Sequence, residues 1–194
     1  MPDSIITDTA TRIFQDLCEP ETVNKAEKGE WPAALWDALE ESGLPLTWVS
    51  DEYGGAGAEL ADGFAVLRVA GRFAAPVPLA ETLLAGWLLA QAGIASPQGP
   101  MTIAPVHEDG NIVIGADNKL SGRARLVPFA RDARHIAVVA TQRDAHVVAL
   151  VDAKDVTVSP GVGLSGEPRD TVSFDGAVAK AVGAAPGLDP ARLT

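Results

Sequence analysis

The chain is poor in cysteine, in basic residues, in aromatics and in long apolar runs. It holds one cysteine, Cys18, in 194 residues. No disulfide framework can form within it, so a reducing, cytoplasmic setting is expected. Lys and Arg number 15 against 26 Asp and Glu, a formal net charge of −11 at pH 7. A surface this acidic is unsuited to the phosphates of nucleic acid or to anionic lipid, and no nucleic-acid partner is expected. An anionic small ligand would need a local basic patch. Aromatics make up 5% of the residues while the apolar fraction is 47%, which favours a core of closely packed helices rich in alanine and leucine.

The most apolar run, "LAETLLAGWLLAQAGI" at 79–94, is interrupted by Glu81 and Gln91. It is too short to span a bilayer and reads as a buried helix, with no membrane span expected. The N-terminus "MPDSIITDTA" lacks the basic start and apolar run of a secretory signal. The three histidines, His107, His135 and His146, are scattered, and neither H-E-x-x-H nor C-x-x-C occurs, so no metal site is expected. A G-x-S-x-G nucleophile elbow is also lacking.

What is present divides near "SPQGP" at 96–100. Before it the periodicity is helical. Ile6, Ala10, Ile13, Phe14 and Leu17 form one stripe of a first helix. "CEPETVNKAEKGE" reads as a polar connection. A second helix follows from "WPAALWDALEESG", with Pro32 in the first turn, Gly43 at the left-handed position after the last turn, and Leu44 folded back on Leu39. A glycine-rich loop, "TWVSDEYGGAGAE", leads to a third helix from about Glu59 to Arg72, expected to bury Leu60, Phe64 and Leu67. A fourth runs from about Leu79 to Ala92. Beyond Met101, seven short β-rich runs recur between turn signals: "MTIAPV", "NIVIG", "KLSGRARLV", "HIAVVA", "HVVALV", "VTVS" and "TVSF". The expectation is an α+β chain. A four-helix bundle-like domain spans 1–97, an antiparallel β-sandwich or barrel spans 98–185, and the start of a further helical segment occupies 186–194.

"GVGLSG" at 161–166 matches the dinucleotide fingerprint G-x-G-x-x-G. That fingerprint works only where a strand precedes it and a helix opens within it. Here Glu167, Pro168, Arg169 and a strand-like "TVSF" follow, so the stretch reads as a glycine-rich loop between antiparallel strands. Cys18 adjoins the first helix's apolar stripe and reads as a packing residue. Arg123, Arg125, Arg131 and Arg134 form the densest basic cluster. They read either as a phosphate-binding patch or as a solvated strand face with its loop.

Residues 30–93 carry Trp36, Leu39 and Gly43, then "SDEYGGAG" at 50–57, then Gly71–Arg72 and Pro76. This series resembles the N-terminal helical domain of acyl-CoA dehydrogenases, whose pattern is W-x-x-L…G, P-E-x-Y-G-G-x-G, then E…G-R…P; serine stands for the usual proline at 50. "LSGRARLVPFARDARHIAVVA" and "TVSFDGAVA" resemble that family's middle β domain. The resemblance implies an FAD-dependent enzyme of fatty-acid or sterol breakdown that removes two hydrogens from an acyl-CoA substrate. It passes electrons to an acceptor protein and works as a homo- or hetero-oligomer. It further implies a flavin packed near Ile103, Ala104, Pro105, Val127 and Pro128, chiefly through backbone groups. Arg125 stands where many members place a tryptophan. The T-E-P-x-x-G-S-D loop of the family is represented by "TIAPVHEDG", where only Pro105 matches. The family's catalytic glutamate lies in a third, C-terminal helical domain that "LDPARLT" would begin, so no catalytic residue is assigned. A non-catalytic subunit supporting an active partner, and a free-standing acidic binding module, stay open beside the enzyme.

Overall fold

The computed structural model describes residues 4–104, 111–143 and 145–184. Five α-helices lead into eight strands: α1 (Ser4–Leu17), α2 (Pro20–Ala26), α3 (Ala33–Glu41), α4 (Leu60–Arg72), α5 (Leu79–Gln91), β1 (Met101–Ala104), β2 (Val113–Ile114), β3 (Lys119–Pro128), β4 (His135–Gln142), β5 (Ala145–Asp152), β6 (Thr157–Ser159), β7 (Arg169–Val178) and β8 (Ala181–Ala184). None of the described helices is long and apolar enough to cross a membrane. Residues 185–194, which include the expected helical start, lie outside the described residues.

The expected stripe of α1 is inward: Ala10 and Phe14 are fully buried, with Ile6, Ile13 and Leu17 packed beside them. Cys18 is buried too, its Sγ 3.5 Å from the Phe73 carbonyl, and burial pushes its thiol pKa up. The polar connection holds a helix that its composition hid. α2 has no fully buried residue, only Val23 packing partly buried against the bundle core; Pro20 begins it and a Glu21–Lys25 pair at 2.9 Å spans one turn. α3 ends as its sequence implies. Gly43 takes φ +74° and donates its N–H to the Glu40 carbonyl at 3.0 Å, while the Ser42 hydroxyl donates to the Leu39 carbonyl at 2.7 Å. Leu39 and Leu44 then meet in the bundle core.

α4 turns a different face inward than its large side chains suggest. Leu60 and Phe64 are 59% and 56% exposed, and Leu67 is only partly buried. The buried face is Asp62, Gly63, Ala65, Val66, Val69 and Ala70. Trp48 is the reason. Its indole lies so close over Gly63 that a Cβ there would be 2.0 Å from Nε1, and that Nε1–H donates to the Leu60 carbonyl at 3.1 Å. Only the small-residue face of α4 admits such an approach.

α5 joins the two halves. Leu79 and Leu83 belong to the bundle core, whereas Ala85, Leu88 and Leu89 pack with Met101, Ala137, Val139, Val148 and Leu150 of the sheet. Thr82, buried in α5, both accepts the Met101 N–H and donates to the Met101 carbonyl, each at 3.0 Å.

The strands form one sheet in the order β6-β7-β3-β2-β4-β5-β8, with β1 beside β4. Most pairings are antiparallel, as expected of this half, while β1 and β2 each run parallel to β4. The eighth strand, β8, follows the expected seven and pairs with β5. Phe174 and Val172 of β7 share one buried cluster with Val138 of β4 and Val151 of β5, so the sheet curls around a common interior. β4 is buried on both faces because α5 covers its outer side. β3 and β7 expose theirs. The GVGLSG stretch is the loop between β6 and β7, antiparallel neighbours, as its flanks imply.

Candidate cofactor site

β1 and β3 meet where the resemblance puts the flavin. The buried Thr102 hydroxyl donates to the Pro128 carbonyl at 2.6 Å. Ile103 and Ala104 pair with Ala137 and Val138 of β4. Ala104 and Val127 are 2% and 0% exposed and turn into the β interior, Pro128 is buried, and Ile103 packs towards α5. Pro105 lies outside the described residues. Four of the expected contacts thus sit on adjoining segments, and none of their side chains carries a polar group. Whatever they offer a ligand comes from the backbone.

The side chain that does surface there is Leu126. The register of β3 against β7 shifts between Ala124 and Val127, and Leu126 takes φ +55° with 57% of its surface exposed. Arg125, just before it, is exposed as well. Sequence reasoning passed over Leu126, although a signal existed. In "RARLVP" the two adjacent apolar residues cannot both face inward on a strand of period two.

The four arginines do not converge. Arg123 lies along the outer face, its Nε–H donating to the Ser173 hydroxyl at 3.3 Å. Arg134 packs its side chain over Gly99, where a Cβ would come within 2.5 Å of Arg134 Cδ. Arg131 is bound to Asp170, whose side chain is fully buried. Burial works to raise the Asp170 carboxyl, but hydrogen bonds from Arg131 and from the Gly161 N–H hold it below the usual carboxylate range. Arg131 also donates to the Gly161 carbonyl, so one ion pair ties the start of the glycine loop to β7. At the loop's far end Glu167 accepts from Ser165 and from Arg169 Nε, and these bonds hold its carboxyl down to about 2.

Residues 3–96 match the family model described as acyl-CoA dehydrogenase, N-terminal domain. A curated relative, acyl-CoA dehydrogenase IpdE2 of Mycolicibacterium smegmatis, is 29% identical over 131 residues, covering 66% of this chain and 42% of its own length. The Tcur3481–Tcur3483 steroid acyl-CoA dehydrogenase, in its G363A variant, superposes with a TM-score of 0.77 at 26% identity, over 93% of this chain and 56% of that one. The ChsE4–ChsE5 complex of Mycobacterium tuberculosis gives 0.77 at 22% identity, over 95% of this chain and 57% of that one. An acyl-CoA dehydrogenase of Bacillus anthracis complexed with FAD gives 0.66 at 18% identity, over 93% and 36%. The chain therefore spans 36–57% of the length of these relatives. Both halves follow the fold of these structures.

Proposed function

We propose that this chain supplies the N-terminal helical domain (1–97) and middle β domain (98–185) of an FAD-dependent acyl-CoA dehydrogenase. One observation carries the reading. Within a dehydrogenase scaffold, the adjoining ends of β1 and β3 present main chain, the outward Leu126 and the exposed Arg125 at one place. A flavin ring needs an apolar platform and main-chain donors, and its pyrophosphate needs a cation. When bound, FAD supplies the acceptor for the β-hydride of the acyl thioester. The chain's own share is to hold and orient. Leu126 would form the platform, the backbone at Ile103 and Val127 would donate, and Arg125 would meet phosphate. α5, bonded to β1 through Thr82 and Met101, would keep the acyl group in register with that platform, where displacement by about 1 Å costs about a hundredfold in rate. The base that takes the α-proton would come from a third, C-terminal helical domain outside residues 1–194.

A second reading has its own support. Among the described residues of this junction, Thr102 is the side chain with a hydroxyl, and the Pro128 carbonyl takes it. Ile103 and Ala104 offer no polar side chain at all. Such a site suits a subunit that has given up its flavin and supports an active partner. Spectra and turnover separate the two. The purified chain mixed with FAD should show weak flavin absorbance and no acyl-CoA turnover with an artificial electron acceptor. Turnover by these 194 residues alone would place the base within them and sink the proposed division. In the full oligomer, flavin bound to this subunit as well as to its partner supports the enzyme reading; flavin confined to the partner supports the second.

A further inference from the structure

α4 is built inside out. Its small residues face the bundle, while Leu60 and Phe64 stand on the other side, more than half exposed. With the partly buried Leu67 and the exposed Gly71 they recur at i, i+4, i+7 and i+11, one stripe of a helix. Phe64 is exposed but held, its ring meeting the Trp48 indole edge-on at 5.1 Å. The indole is fixed in turn by its bond to the Leu60 carbonyl. At the far end of the stripe Gly71 leaves a notch, with nothing within 4 Å of where a Cβ would stand. An apolar ridge ordered in advance gives up little conformational freedom when it docks.

The charges at the two ends of the ridge identify what covers it. Asp51, Glu52 and Glu59, all exposed, precede the first residue of α4. Arg68 and Arg72, also exposed, close it and form no ion pair among the described residues. An acidic partner is repelled at one end and a basic partner at the other. A second copy turned about a two-fold axis meets opposite charge at both. α4 with its N-cap carries Glu59 and Asp62 against Arg68 and Arg72, two charges of each sign, in a chain of net charge −11. Two such chains repel over most of their surface, and this face is where the charges balance. An axis crossing α4 between Ala65 and Val66 sets Leu60 level with Gly71 of the second copy and Phe64 level with its Leu67. The same axis sets Glu59 level with Arg72 of the second copy. Leu60 then meets a notch, and the helix dipoles run opposed. We propose that two copies of this chain associate through this face of α4, antiparallel about that axis. The association requires neither flavin nor the acyl-CoA reading, so each stands if the other fails.

Sedimentation equilibrium of the 194-residue chain tests it. The chain should dimerise with a Kd below about 1 mM. Phe64→Ala, which keeps a good helix former at an exposed site, should raise that Kd about tenfold and leave the circular dichroism unchanged. Phe64→Glu should leave a folded monomer. Arg68→Glu with Arg72→Glu should weaken the dimer about tenfold at low salt, and the difference should shrink at about 1 M NaCl. Thiols read the register. Leu60→Cys mixed with Gly71→Cys should give a disulfide-linked pair under mild oxidant, and either variant by itself should link far less. The unmodified chain, whose Cys18 is buried, is the control. A chain still monomeric at about 1 mM overturns the proposal. So does a dimer unmoved by both Phe64 substitutions, or a mixture that links no better than its components. A monomer that needs Phe64 to bind a different subunit overturns it as well.

Discussion

Arg131 and Asp170 form the polar pin of the β domain. The Arg131 backbone N–H donates to Asp170 Oδ2 at 2.9 Å and its Nε–H donates to Oδ1 at 3.0 Å, while the Asp170 carboxylate also takes the Gly161 N–H. One side chain with no exposed surface thus ties the β3–β4 turn, the glycine loop and the start of β7. Removing it by Asp170→Ala should cost about 3 kcal/mol, the low end for breaking a buried pair, since Arg131 is partly exposed and can turn to water. Urea unfolding of the variant checks this; an unchanged midpoint would show that the pin is ornamental.

The same pin sets an acid limit. Asp170 and Asp152 both have folded pKa values below the ordinary range, despite burial; for Asp152 the opposing partners are Lys180 at 2.7 Å and His135. Such groups stabilise the fold above their unfolded pKa of about 3.9, and the contribution is lost as pH falls through the folded values. Stability should therefore drop below about pH 4. Asp170→Ala should flatten that part of the profile in a urea series from neutral to acid.

Glu81 works with the opposite sign. It stands in the first turn of α5, where a carboxylate is ordinarily welcome, yet burial pushes its pKa up, with Arg169 opposing and Glu167 adding to the rise. Its ionised form is penalised in the folded state at neutral pH. Glu81→Gln should raise the neutral-pH melting midpoint, and the gain should vanish once both states of the wild type are protonated. A destabilised variant at pH 7 would show that the carboxylate is used rather than tolerated.

Gly43 carries the turn that brings Leu44 onto Leu39. At φ +74° a β-branched residue is strained whatever the space around it. Gly43→Val should cost about 1 kcal/mol or more, and Gly43→Asn clearly less, because asparagine tolerates the left-handed region. Thermal melts of the two variants, compared side by side, decide the assignment; equal losses would remove it.

Much of this was written in local order. The stripe of α1, the proline start and glycine end of α3, and the buried run of α5 depend on neighbours within a few residues, so their letters suffice. The series through Trp36, Tyr53, Gly55, Arg72 and Pro76 carries the family for the same reason. GVGLSG could be refused as a dinucleotide loop because the helix it requires would have to follow directly in the chain.

The rest waited for contacts between distant segments. α2 forms from a proline in its first turn and one ion pair, signals too weak to stand out in a polar stretch. α4 rolls its small face inward because Trp48, twelve residues before Leu60, occupies the space over Gly63; size alone had favoured Leu60 and Phe64. The parallel setting of β1 and β2 against β4 is a matter of which edges meet once α5 is docked. The arginines read as one cluster because they are near in sequence, but strand direction and the claim of Asp170 on Arg131 send them apart. The outward turn of Leu126 follows from a register shift against β7, some fifty residues further along. The sequence by itself therefore determined most of the elements and the resemblance to the family. Tertiary structure decided which faces are buried and which side chains reach a ligand, because a strand or helix offers two faces and only its neighbours choose between them.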